Sequence, residues 1–168
     1  MKKKLQVLYI ENDVEYVTTY NELLSGMLSF EFNDPEVVYD KQTALNKIEQ
    51  WRMDIQEIPD VIFLDLILPE HGASCRKDDM HSTDAGIDIY QKIRGIEEFG
   101  IESYNDHPAK LTNLPIVVLT TNYRVPPDKR AKMCKDNCLY LIDKPFIPDD
   151  VANVVNNFIC KALRIETN

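Results

Sequence analysis

Glu11, Asn12 and Asp13 stand where a short apolar run stops, and Asp65, Thr120 and Lys144 each close another such run. Two or three carboxylates brought into one cleft repel one another, and they stay ionised together only when a cation joins them. Hard oxygen ligands in modest number suit Mg²⁺, which keeps several of its waters and accepts phosphate oxygens. A lysine aimed at the same point adds a fixed positive charge, and a threonine hydroxyl adds a donor. Carboxylate nucleophile, Mg²⁺, lysine and hydroxyl together suit phosphoryl transfer to an aspartate. Taken singly, an aspartate after a strand is more simply a turn or cap former. Placed together at four strand ends in chain order, these residues argue for chemistry.

The elements that must position them follow from the apolar pattern. Leu5–Ile10, Glu36–Tyr39, Val61–Leu64, Ile116–Leu119 and Leu139–Ile142 read as five strands, short and mostly unbroken. Between them, apolar residues recur at intervals of three and four. Val14, Val17, Tyr20, Leu23, Leu24, Met27 and Leu28 mark one helix, and Ala44, Leu45, Ile48 and Trp51 a second. Ile87, Ile89, Tyr90 and Ile93 mark a third helix, for which Asp84 is the expected cap. Pro126-Pro127-Asp128 opens a short fourth. Val151, Val154, Val155, Phe158, Ile159 and Leu163 lie on a last helix beginning near Asp149. His71 to Thr83 has no periodicity and reads as a surface loop, and 99–113 as a polar connection. Alternating strand and helix predict a doubly wound α/β fold, a five-stranded parallel sheet with helices on both faces. Ligands of such sheets sit beyond the carboxyl ends of the strands, where the polar residues above fall.

The 168 residues fit a single domain spanning 1–168. Nineteen Lys+Arg against 28 Asp+Glu leave a net charge of −9, which repels phosphate backbones and anionic lipid, so no direct nucleic-acid contact is expected. The longest apolar runs are about four residues, far short of the roughly 20 that span a bilayer. The apolar stretch after Lys2-Lys3-Lys4 contains Gln6 and ends at Glu11, too short for a secretory signal, and a cytoplasmic protein is expected. The four cysteines form no CxxC pair or disulfide framework and read as reduced thiols. Cys134 and Cys138, four apart, would share a face of one continuous helix, where packing is the better reading than metal. His71, Cys75 and His81 match no tight zinc spacing, and a solvated loop is the better reading.

The motifs Val7-Leu8-Tyr9-Ile10-Glu11-Asn12-Asp13, Val61-Ile62-Phe63-Leu64-Asp65-Leu66-Ile67-Leu68-Pro69, Ile116-Val117-Val118-Leu119-Thr120-Thr121 and Lys144-Pro145-Phe146, in this order, resemble a response-regulator receiver domain of two-component signalling (CheY-like, flavodoxin-like fold). The resemblance covers about Leu5 to Leu163. It implies that Asp65 accepts a phosphoryl group from a sensor histidine kinase or phosphotransfer protein. It implies Mg²⁺ held by Glu11, Asn12, Asp65 and the backbone carbonyl of Ile67. Lys144 would contact the phosphoryl or Asp65 oxygens. Thr120 would move in to hydrogen-bond the phosphoryl group, remodelling the face made by the fourth helix, fifth strand and last helix. The chain is then not an enzyme beyond self-phosphotransfer and autodephosphorylation. No output domain follows the last helix in this sequence, so a stand-alone receiver reaching a downstream protein target by direct contact is expected, with the oligomeric state left open.

The chain departs from that pattern in three places. Asn12 stands where the family has a second acid, so weaker Mg²⁺ binding is expected, with Asp13 a candidate to compensate. The loop of about residues 70–84 is an insert beside the acceptor, before Ala85-Gly86. Leu141 replaces the usual aromatic three residues before the lysine, and Tyr140 belongs to the opposite face of its strand. Two other readings compete. One is a pseudo-receiver binding module with weakened or absent phosphorylation, supported by Asn12. The other is a haloacid-dehalogenase-like phosphatase, which Asp149-Asp150 superficially support. That enzyme wants Asp-x-Asp, and residue 67 is isoleucine.

Overall fold

Each apolar strand must bury both its faces, and the chain does this by laying helices on either side of one sheet. The structure is a computed structural model that describes residues 2–71, 84–98, 101–102, 107–120, 125–144 and 148–165; side chains 23–27, 97–98, 101–102 and 148–150 are outside the description. In chain order the main elements are β1 (Val7–Ile10), α1 (Val14–Met27), β2 (Glu36–Val38), α2 (Lys41–Met53) and β3 (Val61–Asp65). They continue with α3 (Ala85–Arg94), β4 (Ile116–Thr120), α4 (Pro127–Met133), β5 (Leu139–Asp143) and α5 (Pro148–Leu163). The sheet order is β2-β1-β3-β4-β5, and every pairing is parallel. This is the flavodoxin-like, doubly wound α/β fold expected from the sequence.

Strand alternation divides the interior into two cores. Leu8, Ile10, Ile62, Leu64, Ile116 and Val118 face Ala44, Ile48 and Trp51 of α2 and Ile89, Tyr90 and Ile93 of α3. Val7, Tyr9, Val61, Phe63, Val117 and Leu119 face Val17 and Tyr20 of α1 and Val155 and Ile159 of α5. The strand order reverses between β1 and β3, because the chain places β2 on one side of β1 and everything later on the other. A crevice opens at such a switch point, beyond the carboxyl ends of the strands.

Several local expectations change. The first strand does not run unbroken from Leu5: Lys4–Leu5 pairs separately with Glu31–Phe32, and β1 starts at Val7. Gln6 breaks it, its N–H donating to Asp60 Oδ2 and its carbonyl accepting from Asp60 N–H. Asp84 holds the N-cap position of α3 but makes no side-chain cap bond there. Its Oδ1 instead accepts from Lys129 Nζ at 2.9 Å, tying α3 to α4. The connection after α3 is not simply polar loop, since Ile96–Glu98 pairs antiparallel with Ile101–Glu102 and Ala109–Thr112 forms a helical turn. Cys134 caps the end of α4 and is exposed, so it and Cys138 share no continuous helix and Cys134 is not a packing residue.

A buried clamp that the sequence pattern did not reveal closes the amino-terminal side of the sheet. Arg94 Nε donates to Asp136 Oδ2 at 2.6 Å, Nη1 to Leu111 O, and Nη2 to Leu114 O and Cys138 O. One guanidinium thus joins the end of α3 to the segments that enter β4 and β5.

Candidate functional site

Backbone pairing delivers the polar residues to one place. Ile10 is opposite Leu64 in parallel register, so Glu11 and Asp65 leave their strands side by side. Glu11 N–H extends the ladder by donating to Val38 O at 3.0 Å. Thr120 is opposite Asp143, and Lys144 N–H donates to Thr120 O at 2.8 Å, which brings the lysine out beside the threonine. The start of α3 packs directly onto this edge. A Cβ on Gly86 would overlap the Asp65 carbonyl oxygen and Leu66 Cα, so only glycine allows that approach.

The side chains converge. Lys144 Nζ lies 2.8 Å from Glu11 Oε2 and 3.1 Å from Asp65 Oδ2. The other carboxylate oxygens are also held: Asp13 N–H donates to Glu11 Oε1 at 3.1 Å, and Ile67 N–H donates to Asp65 Oδ1 at 3.1 Å. Glu11 is 3% exposed and Asp65 8%, and the Lys144 side chain is 9% exposed. One ammonium is therefore shared by two nearly dry carboxylates. Burial raises the pKa of Glu11, and the charge of Asp65 raises it further, against the opposing pull of Lys144. Burial works against the Lys144 ammonium as well, but Asp65 and Glu11 outweigh it and its pKa is raised.

Thr120 completes the group in an unusual way. The residue is 0% exposed, and its hydroxyl has no hydrogen-bond partner among the described residues. A buried hydroxyl without a partner is costly, and one at the strand end whose backbone pairs with Lys144 marks a place where an acceptor is expected to arrive.

The donor set fits a small hard cation. Glu11 and Asp65 present two buried carboxylates to a single shared ammonium, and hard oxygen donors of this kind suit Mg²⁺. Asn12, which follows Glu11 directly, is exposed. Asp13 is committed elsewhere: its Oδ1 accepts from Glu15 N–H and Tyr16 N–H at 3.0 and 3.3 Å, which caps α1. The carboxylate considered as compensation for Asn12 is a helix cap.

Of the aromatic expectations, alternation holds. Leu141 packs against the α2–α3 core, whereas Tyr140 is partly exposed with its ring 5.8 Å from that of Phe158 on α5. Two links to α4 escaped the sequence reading. Arg130 grips Asp143 with two bonds of 2.9 Å, and Lys129 reaches Asp84. Asp143 immediately precedes Lys144, so α4 is tied to the strand that carries the site lysine. Tyr16, whose ring covers Lys144, was also missed. Thr121, Asn122, Pro145, Phe146, Cys75 and His81, together with most of the 70–84 insert and the side chains of Asp149 and Asp150, lie outside the described residues.

No protein-family model matches the chain, and no curated protein matches it. Solved structures do. A two-component response regulator from Cytophaga hutchinsonii is 21% identical with a TM-score of 0.58, over 98% of this chain and 99% of that one. The phosphorylated cyanobacterial phytochrome response regulator RcpA is 20% identical with a TM-score of 0.56, over 99% and 98%. The receiver domain of a Pseudomonas aeruginosa sensor histidine kinase, with a magnesium ion coordinated in its active site cleft, is 18% identical with a TM-score of 0.52, over 95% and 98%. These neighbours, two response regulators and one receiver domain, match nearly the whole chain. At such identities the likeness is one of fold, and the fold is that of response-regulator receivers.

Proposed function

We propose that this chain is a phosphoacceptor receiver, taking a phosphoryl group onto Asp65 from a histidine kinase or phosphotransfer protein. The observation that carries the reading is the Asp65 carboxylate, held by Ile67 N–H and Lys144 at the switch point of the sheet, with Thr120 ending the neighbouring strand and its hydroxyl without a partner among the described residues. An Asp65 oxygen attacks the phosphorus of a donor phosphohistidine; the P–N bond breaks as the P–O bond forms, and the leaving imidazole takes up a proton. The two hydrogen bonds on Asp65 aim its carboxylate, and Lys144 balances charge as the acceptor is esterified. Glu11, Asp65, the Asn12 side-chain oxygen and the Ile67 carbonyl would hold Mg²⁺, which when bound supplies positive charge to the transferring phosphoryl oxygens. The likeness to a magnesium-bound receiver and to a phosphorylated one supports both assignments.

Output follows from the same geometry. Thr120 gains its acceptor by moving toward the phosphoryl group, and its neighbour Asp143 carries the movement through Arg130 to α4. The surface of α4, β5 and α5 is then what a downstream protein reads. No helix among the described residues is long and apolar enough to cross a membrane. The phosphoryl group leaves its donor and stays on the chain itself, as an aspartyl phosphate at Asp65. The test is incubation with a small acyl phosphate and Mg²⁺: one phosphoryl group per chain is expected, and none in Asp65→Asn. Asn12 favours a second reading, a receiver-fold binding module that is not phosphorylated. In that case Mg²⁺ and the donor leave the unmodified chain unlabelled.

A further inference from the structure

Lys144 has a third neighbour besides the two carboxylates. Its ammonium lies 4.5 Å from the centroid of the Tyr16 ring, a distance at which the ring quadrupole attracts a cation. Tyr16 stands in the first turn of α1, and Asp13, which caps that turn, accepts from the Tyr16 N–H. The segment is thus built in steps: Asp13 N–H fixes Glu11, the Asp13 carboxylate starts the helix, and the helix sets the ring over the lysine. Tyr20, buried one turn on, backs that ring with centroids 5.4 Å apart. Tyr16 is itself 39% exposed, which on its own would describe an ordinary surface residue. Yet the lysine beside it is only 9% exposed, so a half-exposed ring packs against a buried ammonium.

We infer that Tyr16 is a positioning residue, its ring face holding the Lys144 ammonium on Glu11 and Asp65 and keeping water from that side. The consequence for function rests on the reading of Asp65 as phosphoacceptor: an ammonium fixed in advance is already placed for an oxygen of the incoming group. The hydroxyl of Tyr16 has no part in this, so phenylalanine should serve and an aliphatic side chain should not.

The experiment compares the full chain with Tyr16→Phe and Tyr16→Leu by two readouts. In NMR spectra, the ring current should displace the Lys144 side-chain resonances upfield in the unmodified chain and in Tyr16→Phe, and the displacement should vanish in Tyr16→Leu. With Mg²⁺ and beryllofluoride as the phosphoryl mimic, affinity should fall roughly two- to fivefold in Tyr16→Leu, the range of a partly exposed cation–π contact, and stay near the original in Tyr16→Phe. Lys144 resonances that are identical in all three proteins would overturn the inference, as would equal losses of affinity in Phe and Leu. If beryllofluoride failed to bind even the unmodified chain, the phosphoacceptor reading would fall, while the ring-current result would still decide the role of Tyr16.

Discussion

Replacing Thr120 with valine should move stability and ligand affinity in opposite directions. Thr120 is completely buried, and its hydroxyl has no partner among the described residues, so the resting protein carries the cost of a desolvated, unsatisfied group. That cost is about 1–3 kcal/mol, and a methyl group of similar volume removes much of it. Thr120→Val should therefore stabilise the ligand-free protein by about 1 kcal/mol, a Tm rise of roughly 2–4 °C for a chain of this size. In the phosphoryl-bound form the same change deletes a hydrogen bond to a charged acceptor, of about 1.5–3 kcal/mol, so beryllofluoride affinity should fall roughly ten- to a hundredfold. Urea and thermal unfolding with and without Mg²⁺ and beryllofluoride measure both effects. Thr120→Ala controls for packing: it should still accept a phosphoryl group on Asp65 but blunt the hydrogen-exchange response over residues 126–163. A valine variant that is less stable without ligand, or that binds beryllofluoride as tightly as before, would refute the reasoning.

Other perturbations follow from the same structure. Asn12→Asp adds a carboxylate next to Glu11 in the chain and should tighten Mg²⁺ roughly tenfold by calorimetry; an unchanged affinity would take residue 12 out of the metal shell. Arg94→Met leaves Asp136 and three carbonyls without the guanidinium and should cost about 3–5 kcal/mol in urea unfolding, with a loss below about 1 kcal/mol contradicting the clamp. Arg130→Met removes a partly exposed pair, so global stability should change by no more than about 1 kcal/mol. Hydrogen exchange in Pro127–Met133 should nevertheless rise before any ligand is added, and unchanged exchange would detach α4 from Asp143.

The strands were legible because each is a short apolar run, and the site because each of its residues ends one. Glu11, Asp65, Thr120 and Lys144 accordingly fall where the sequence places them. What stayed hidden depends on groups meeting across the fold. Asp13 looks the same in sequence whether it binds metal or caps α1, since both tasks want a short carboxylate after a strand; only the donors at 3.0 and 3.3 Å distinguish them. Tyr16 lies off the apolar stripe of its helix, so periodicity passes over it, although an aromatic in the first turn after an acidic strand end was an available signal. The Arg130–Asp143 pair joins residues on different elements, and no local spacing announces it. Asp84 was read as a cap from its type and place, but the nearby Lys129 ammonium claims its carboxylate.

Phosphoryl transfer to this chain depends on the identity of one acceptor residue. After reaction with a small acyl phosphate and Mg²⁺, borohydride reduces an aspartyl phosphate to homoserine, and peptide mass spectrometry then locates the converted residue. Homoserine is expected at position 65 alone, and is expected to be absent when Mg²⁺ or the donor is omitted. Conversion at any other aspartate, or an unconverted Asp65 in protein that has bound Mg²⁺, would contradict it.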